Sequence, residues 1–128
     1  MHGTLNDQSL IYLQIAQMLE DDILRGVYRS DEQVPSTNEL ARLYQINPAT
    51  AAKGLNQLTA EGILYKRRGI GMFVSSGAEE LVRAKRRKAF FHDFVLPLVK
   101  EGRSLALTKE ELLHMVESAM EKGEHYEG

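Results

Sequence analysis

From Val34 to Val74 the chain reads VPSTNELARLYQINPATAAKGLNQLTAEGILYKRRGIGMFV. Ser36 stands before an apolar-periodic run with Glu39 three positions on. This is the spacing of a capping box, in which each side chain satisfies a backbone amide that the first helical turn leaves orphaned. Leu40, Ala41 and Leu43 supply an inward face, and Tyr44 to Ile46 make a turn. Asn47 then caps a second helix whose first position is Pro48, where a missing amide does no harm. Ala51, Leu55 and Leu58 turn one stripe of that helix inward, and Gly62 ends it where a left-handed residue is wanted. Two β-prone runs follow, Ile63 to Tyr65 and Met72 to Val74, around a turn of Arg68, Gly69, Ile70 and Gly71. This order predicts a mainly α fold with a small β wing, a winged helix-turn-helix.

Upstream, Ile11, Ile15, Met18, Leu19 and Ile23 recur at threes and fours, which predicts a helix over about residues 8 to 25 closed by Gly26. Downstream, the composition shifts at Gly77. Glu79 and Glu80 open a helix bearing the basic run Arg83, Lys85, Arg86, Arg87 and Lys88, and Leu81, Ala84, Phe91, Val95 and Leu98 fall on one stripe. Pro97 predicts a bend, because an interior proline removes a helix hydrogen bond at a cost of about 3 kcal/mol. Thr108 and Glu111 repeat the capping-box spacing for a last helix, with Leu107 placed to staple onto Leu112. The apolar face of that helix is Leu112, Met115, Val116 and Ala119. The expected organisation is a winged domain over 1–76 followed by a two-helix C-terminal hairpin over 77–128.

A chain of 128 residues without an internal repeat suits one domain and an appendage. Its 43% apolar and 27% charged residues are those of an ordinary soluble protein. No apolar run approaches the roughly 20 residues of a bilayer span, so no membrane partner is expected. The start, MHGTLNDQSL, lacks the features of a secretory signal and predicts a cytoplasmic protein. The absence of cysteine excludes disulfides, thiolate zinc sites and thiol catalysis. His2, His92, His114 and His125 show no HExxH spacing, no GxxxxGK[ST] phosphate loop occurs, and the pairs Asp21-Asp22 and Glu110-Glu111 have no neighbouring histidine. The reading is of a protein that is not an enzyme and uses no cofactor or metal.

A net charge of −2 gives no overall basic argument for nucleic acid. The distribution of charge does. Over residues 1 to 76 seven Lys or Arg meet eight Asp or Glu, yet Lys53, Lys66, Arg67 and Arg68 all lie on the second helix of the motif or on the wing. Double-stranded DNA is therefore the expected partner, with the N-terminal end of that helix in the major groove and the wing tip along the backbone or the adjoining minor groove. Two plainer readings stand beside it. Arg67 and Arg68 can be a solvated hairpin tip, and a winged fold can serve as a protein-interaction module, which the net negative charge favours.

With these residues in place, the sequence resembles the GntR family of bacterial transcription regulators. The match rests on Gly26, Val34-Pro35-Ser36, Glu39-Leu40-Ala41, Asn47 to Thr50, Leu55, Leu58, Glu61-Gly62, and Arg68-Gly69 through Gly71 to Phe73-Val74, over about the first 75 residues. INPATAAKGL, YKRRGIGMFV and the short remainder are similar to the YtrA-type subfamily. The resemblance implies that Ser36, Asn38, Asn47, Ala49, Thr50 and Lys53 touch phosphates or base edges, and that Arg67, Arg68, Gly69 and Gly71 dock the wing. It also implies a C-terminal dimerisation unit and control, as a repressor, of a neighbouring transporter operon. Many relatives carry arginine where this chain has Asn38, and some where it has Pro48 or Ala52. Thr50 and Ala49 are then left to touch thymine methyls, and Asn47 or Lys53 to make polar contacts. Asn47 as a cap alone and Thr50 as a helix-surface residue alone are the competing readings.

The hairpin places Phe91, Phe94, Val95, Leu98, Leu112, Met115 and Val116 on a surface too large for a single copy to bury well. A second copy is the economical cover, and folding back on the winged domain is the alternative. A twofold homodimer predicts a roughly palindromic operator with half-sites about one helical turn apart, or a multiple of that. The basic run near Arg86 has three readings: DNA flanks, pairing with Glu110 and Glu111 or their neighbours on a partner chain, or a solvated face. With no separate pocket domain expected, a small-molecule effector would act at the hairpin or at the junction near Ser75 to Gly77.

Overall fold

The computed structural model describes residues 8–124, which divide by packing into one compact unit up to Lys85 and another from Arg86 onward. The first unit contains α1 (Gln8–Leu24), α2 (Thr37–Tyr44), α3 (Pro48–Ala60), β1 (Leu64–Arg67), β2 (Gly71–Val74) and the first two turns of α4 (Ala78–Phe90). Its core gathers Ile15, Leu19 and Ile23 of α1, Leu40 of α2, Leu55 and Leu58 of α3, and Ile63, Leu64 and Val74 around the sheet. The close approach of α1 to α3 depends on Gly54. A Cβ there would stand 3.0 Å from the Tyr12 carbonyl oxygen and 3.2 Å from Ile15 Cγ2.

Both helices of the motif start where the sequence places them. The Ser36 hydroxyl accepts the Glu39 N–H at 3.1 Å, and Glu39 Oε1 accepts the Ser36 N–H at 2.8 Å. These bonds, the one from the Ser36 backbone first, hold the Glu39 carboxyl below its ordinary 4.5. Leu43 corrects the expected inward face, for it is 65% exposed. A helix of eight residues buries only one narrow line, here Leu40 and Ala41. Gln45 then takes a left-handed φ of 53°, and the Ile46 N–H returns to the Ala41 carbonyl, which closes the turn into α3.

The hairpin is antiparallel, with Leu64 opposite Val74 and Arg67 opposite Gly71. A third partner lies beyond the sequence expectation. Gln33 bridges to Phe73, the Val34 N–H donates to the Met72 carbonyl at 3.0 Å, and the Val74 N–H donates to the Glu32 carbonyl at 2.9 Å. The segment just before α2 is thus a rudimentary outer strand, too short and too polar to show an alternating pattern.

The winged unit runs past residue 76, because Ala78 and Val82 of α4 are buried in its core. Leu81 and Ala84, which share a stripe with Phe91, Val95 and Leu98, are exposed. In this turn the α4 residue that enters the winged core is Val82, one position after Leu81.

In the second unit, the end of α4 widens into a π-helical turn over Phe91–Val95 that leads into α5 (Leu96–Ser104), and α6 spans Lys109–Lys122. The Leu96 N–H reaches back to the Phe91 carbonyl, the long i→i−5 pattern. The disturbance expected from Pro97 takes this form, since proline has no N–H and crowds the carbonyl four residues before it. α5 ends with the Leu107 N–H on the Gly102 carbonyl and the Ala106 N–H on the Arg103 carbonyl, a Schellman closure with Ala106 at a left-handed φ of 59°. Thr108 and Glu111 form the expected capping box of α6. Leu112 packs on Gly102, and the inward line of α6 continues through Met115 to the buried Ser118, whereas Val116 and Ala119 of the expected face are exposed.

Candidate nucleic-acid interface

On α3, Asn47 Oδ1 accepts the Ala49 N–H at 2.8 Å. The cap uses only Oδ1 of an exposed residue, so the side-chain amide keeps its N–H donors and capping and ligand contact are compatible here. Pro48, Ala49, Lys53 and Asn56 follow on one exposed stripe. Lys53 Nζ sits 4.2 Å over the ring of Tyr12 in α1, a cation–π contact that steadies the ammonium. Thr50, expected to touch a base edge, stands apart from this stripe. It is 7% exposed and lies on the buried side of the helix with Ala51, Gly54, Leu55 and Leu58. Of the α2 residues, Asn38 is exposed in the first turn, while half-buried Ser36 spends its hydroxyl on the cap.

In the wing, Lys66, Arg67, Arg68 and Gly69 are exposed and Gly71 is half-buried. The Ile70 N–H closes the tip on the Arg67 carbonyl at 3.0 Å, with Gly69 left-handed at φ 76°. Arg67 does not hang free. Its guanidinium lies 4.5 Å over Phe73, which stacks on Tyr65 at 5.8 Å between centroids. The Tyr65 hydroxyl donates to Asp31 at 2.7 Å, and that bond is the chief reason its phenol is raised above the ordinary 10.0. Arg68, at the turn itself, is the cation at the tip.

Sequence reasoning missed Asn56, Tyr12 and Gln33. Asn56 was legible, seven residues after Ala49 and three after Lys53 on a helix already delimited. Tyr12 and Gln33 act across long separations and left no local signal. The basic run also resolves in part: Lys85 pairs with Glu20 and Glu61, and Arg83 pairs with Glu79 and Glu80 on its own helix.

The second unit presents a different surface. Phe90, Phe94, Val95, Leu98, Leu112 and Val116 are among the residues lining an open apolar groove of about 610 Å³. Phe91 is exposed outside it, and Met115 is half-buried. Among the described residues there is no group of three or more His, Cys, Asp or Glu that could hold a metal, and no helix is long and apolar enough to cross a membrane.

Residues 11–74 match the model of the bacterial regulatory proteins of the gntR family. The chain belongs to this family. YhcF, an HTH-type transcriptional regulator of Bacillus subtilis, is 31% identical over 123 residues, 96% of this chain and the whole of YhcF. The HTH-type transcriptional repressor YtrA of the same organism is 36% identical over 69 residues, 54% of this chain and 53% of YtrA. A Shigella flexneri protein named "Probable fructoselysine utilization operon transcriptional repressor" is 36% identical over 104 residues, 81% of this chain but only 40% of that protein's length. Among solved structures, a GntR family transcriptional regulator from Listeria monocytogenes superposes with a TM-score of 0.68 at 25% identity, covering 84% of this chain and 93% of that one. The likeness of this GntR chain to YhcF and to the Listeria regulator therefore extends well beyond the wing.

Proposed function

We propose that this GntR chain is a cytoplasmic, homodimeric transcriptional repressor that binds double-stranded DNA of roughly palindromic sequence. The observation that carries the reading is the pairing of one exposed stripe on α3, Ala49, Lys53 and Asn56, and its exposed cap Asn47, with the exposed cations Lys66, Arg67 and Arg68 of the wing. The stripe offers donors and a methyl group to base edges, and the wing offers charge to phosphates. Repression is supported by the names of YtrA and the Shigella relative, both of which are called repressors. Domain roles follow the same division: the winged unit reads DNA and the hairpin dimerises. Support for the dimer comes from the uncovered apolar groove and from Phe91 and Phe94, which are 60% and 65% exposed. A small-molecule effector would act at the same groove by competing with the second copy, and a transporter operon is the first target to test.

Selection of bound sites from random duplexes by the purified chain, alongside light scattering, tests the reading. An enriched inverted repeat bound by a mass of two chains is expected. Failure to enrich any sequence, or a monomer mass with undiminished binding, would overturn it.

A further inference from the structure

The wing is braced from outside the hairpin. Gln33 lies 37 residues before Ile70 in the chain, yet its Nε2 donates to the Ile70 carbonyl at 2.9 Å. The Gln33 backbone bridges to Phe73 on the strand that returns from the tip. The space for the amide is made by Gly71, whose φ of 145° excludes most residues and whose Cβ, if present, would stand 2.6 Å from Gln33 Nε2. The Ile70 N–H is held by the Arg67 carbonyl. Both polar groups of Ile70 are thereby engaged, one from inside the hairpin and one from outside it, and Arg68 and Gly69 sit in the short arc between.

A two-stranded hairpin of this length is marginal by itself. An unbraced tip would sample many orientations and lose that freedom on binding. We propose that Gln33 is a positioning residue that holds the wing tip in its binding orientation and so presents Arg68 to the DNA backbone. The proposal rests on the DNA-binding reading above. Gln33 touches no DNA in this scheme. Its contribution is that of one neutral hydrogen bond delivered as preorganisation, which corresponds to roughly a 3- to 10-fold change in affinity.

The test uses the full chain and a duplex selected by the wild type. Gln33→Met keeps the length of the side chain and removes its donor. The dissociation constant is expected to rise about 3- to 10-fold. In an Arg68→Ala background the same substitution is expected to change affinity by less than about twofold, because the group being positioned has gone. Thermal melting of each variant accompanies the binding curves. An unchanged affinity for Gln33→Met overturns the proposal. So does an equal fold-loss in both backgrounds, whatever the melting temperatures, since that marks a role that does not act through Arg68. A wild type that binds no duplex would instead sink the DNA reading itself, before any variant is compared.

Discussion

The ammonium of Lys85 lies 2.5 Å from the carboxylate of Glu20, whose side chain is only 2% exposed, and 2.7 Å from the carboxylate of Glu61. Gln57 holds the other Glu61 oxygen at 2.8 Å. One cation thus joins α1, the end of α3 and α4 inside the winged unit. Breaking a buried pair by removing one partner leaves the other charge buried, a loss of 3–5 kcal/mol in fully buried cases. Lys85 is 39% exposed, so solvent reaches part of the pair and the expected loss for Lys85→Met is smaller, about 2–3 kcal/mol. Urea denaturation of the two proteins measures it. Glu61→Gln, at the more exposed end, should cost under about 1 kcal/mol.

Alkaline pH should release the same clamp. Burial by itself lowers the Lys85 pKa, but the hydrogen bonds and charges of Glu20 and Glu61 outweigh it and leave the group above its ordinary 10.5. The folded chain then holds this proton more tightly than the unfolded chain does. The contribution is whole below about 10.5 and fades as pH climbs through the folded value. Tyr28 and Tyr65, also raised, act in the same direction. The difference in stability between wild type and Lys85→Met isolates the lysine: it should be constant from neutral pH to about 10 and shrink above that.

What the sequence could say about this fold was local. Ser36, Asn47 and Thr108 announced their helices because a cap is read from a few adjacent residues, and Gly62 announced an end for the same reason. Leu43 is read on the wrong face because the faces of an eight-residue helix differ by a single position, and only the packing partner decides between them. The Lys85–Glu20 pair joins residues 65 apart and the Gln33–Ile70 bond residues 37 apart. Nothing in either neighbourhood distinguishes these side chains from a solvated surface. The candidate interface was legible to the extent that it lies on capped elements, and illegible where it is steadied from elsewhere, as Lys53 is by Tyr12.

Gly54→Ala should destabilise the winged unit despite the better helix propensity of alanine. Propensity favours the change by up to about 1 kcal/mol. Against this, the new Cβ would meet the Tyr12 carbonyl oxygen at 3.0 Å and Ile15 Cγ2 at 3.2 Å. The first of these belongs to helix backbone, so α1 as a whole must shift. Overpacking of this kind costs about 1–3 kcal/mol, and a net loss of about 1 kcal/mol is expected in chemical denaturation. A more stable variant would show that α1 moves without penalty.

Ala106→Gly should do the reverse. Ala106 occupies the left-handed position of the Schellman closure at φ 59°, a conformation in which a Cβ is strained and glycine is not. Both hydrogen bonds of the closure run through backbone atoms and survive the substitution. Relief of strain less the extra entropy of an unfolded glycine leaves a gain of about 0.5–1 kcal/mol. A rise in melting temperature is the expected readout, and a fall would mean that the alanine methyl makes a contact worth more than the strain.

Asn47 offers a way to separate folding from recognition at one residue. Its Oδ1 caps α3, while its Nδ2 takes no part in the cap. Asn47→Ala removes both, and should lower stability by about 0.5–2 kcal/mol through the lost cap. Asn47→Ser keeps a good capping oxygen but has no amide, so its stability should stay within about 0.5 kcal/mol of the wild type. If the amide reads an acceptor on a base edge, Asn47→Ser weakens binding to the selected duplex by about 1–3 kcal/mol and relaxes preference at one base pair of each half-site. If Asn47 only caps, the serine variant binds as the wild type does and repeated site selection returns an unchanged sequence. Binding curves and selection on these two variants, each checked for stability, therefore assign the residue to one role or to both.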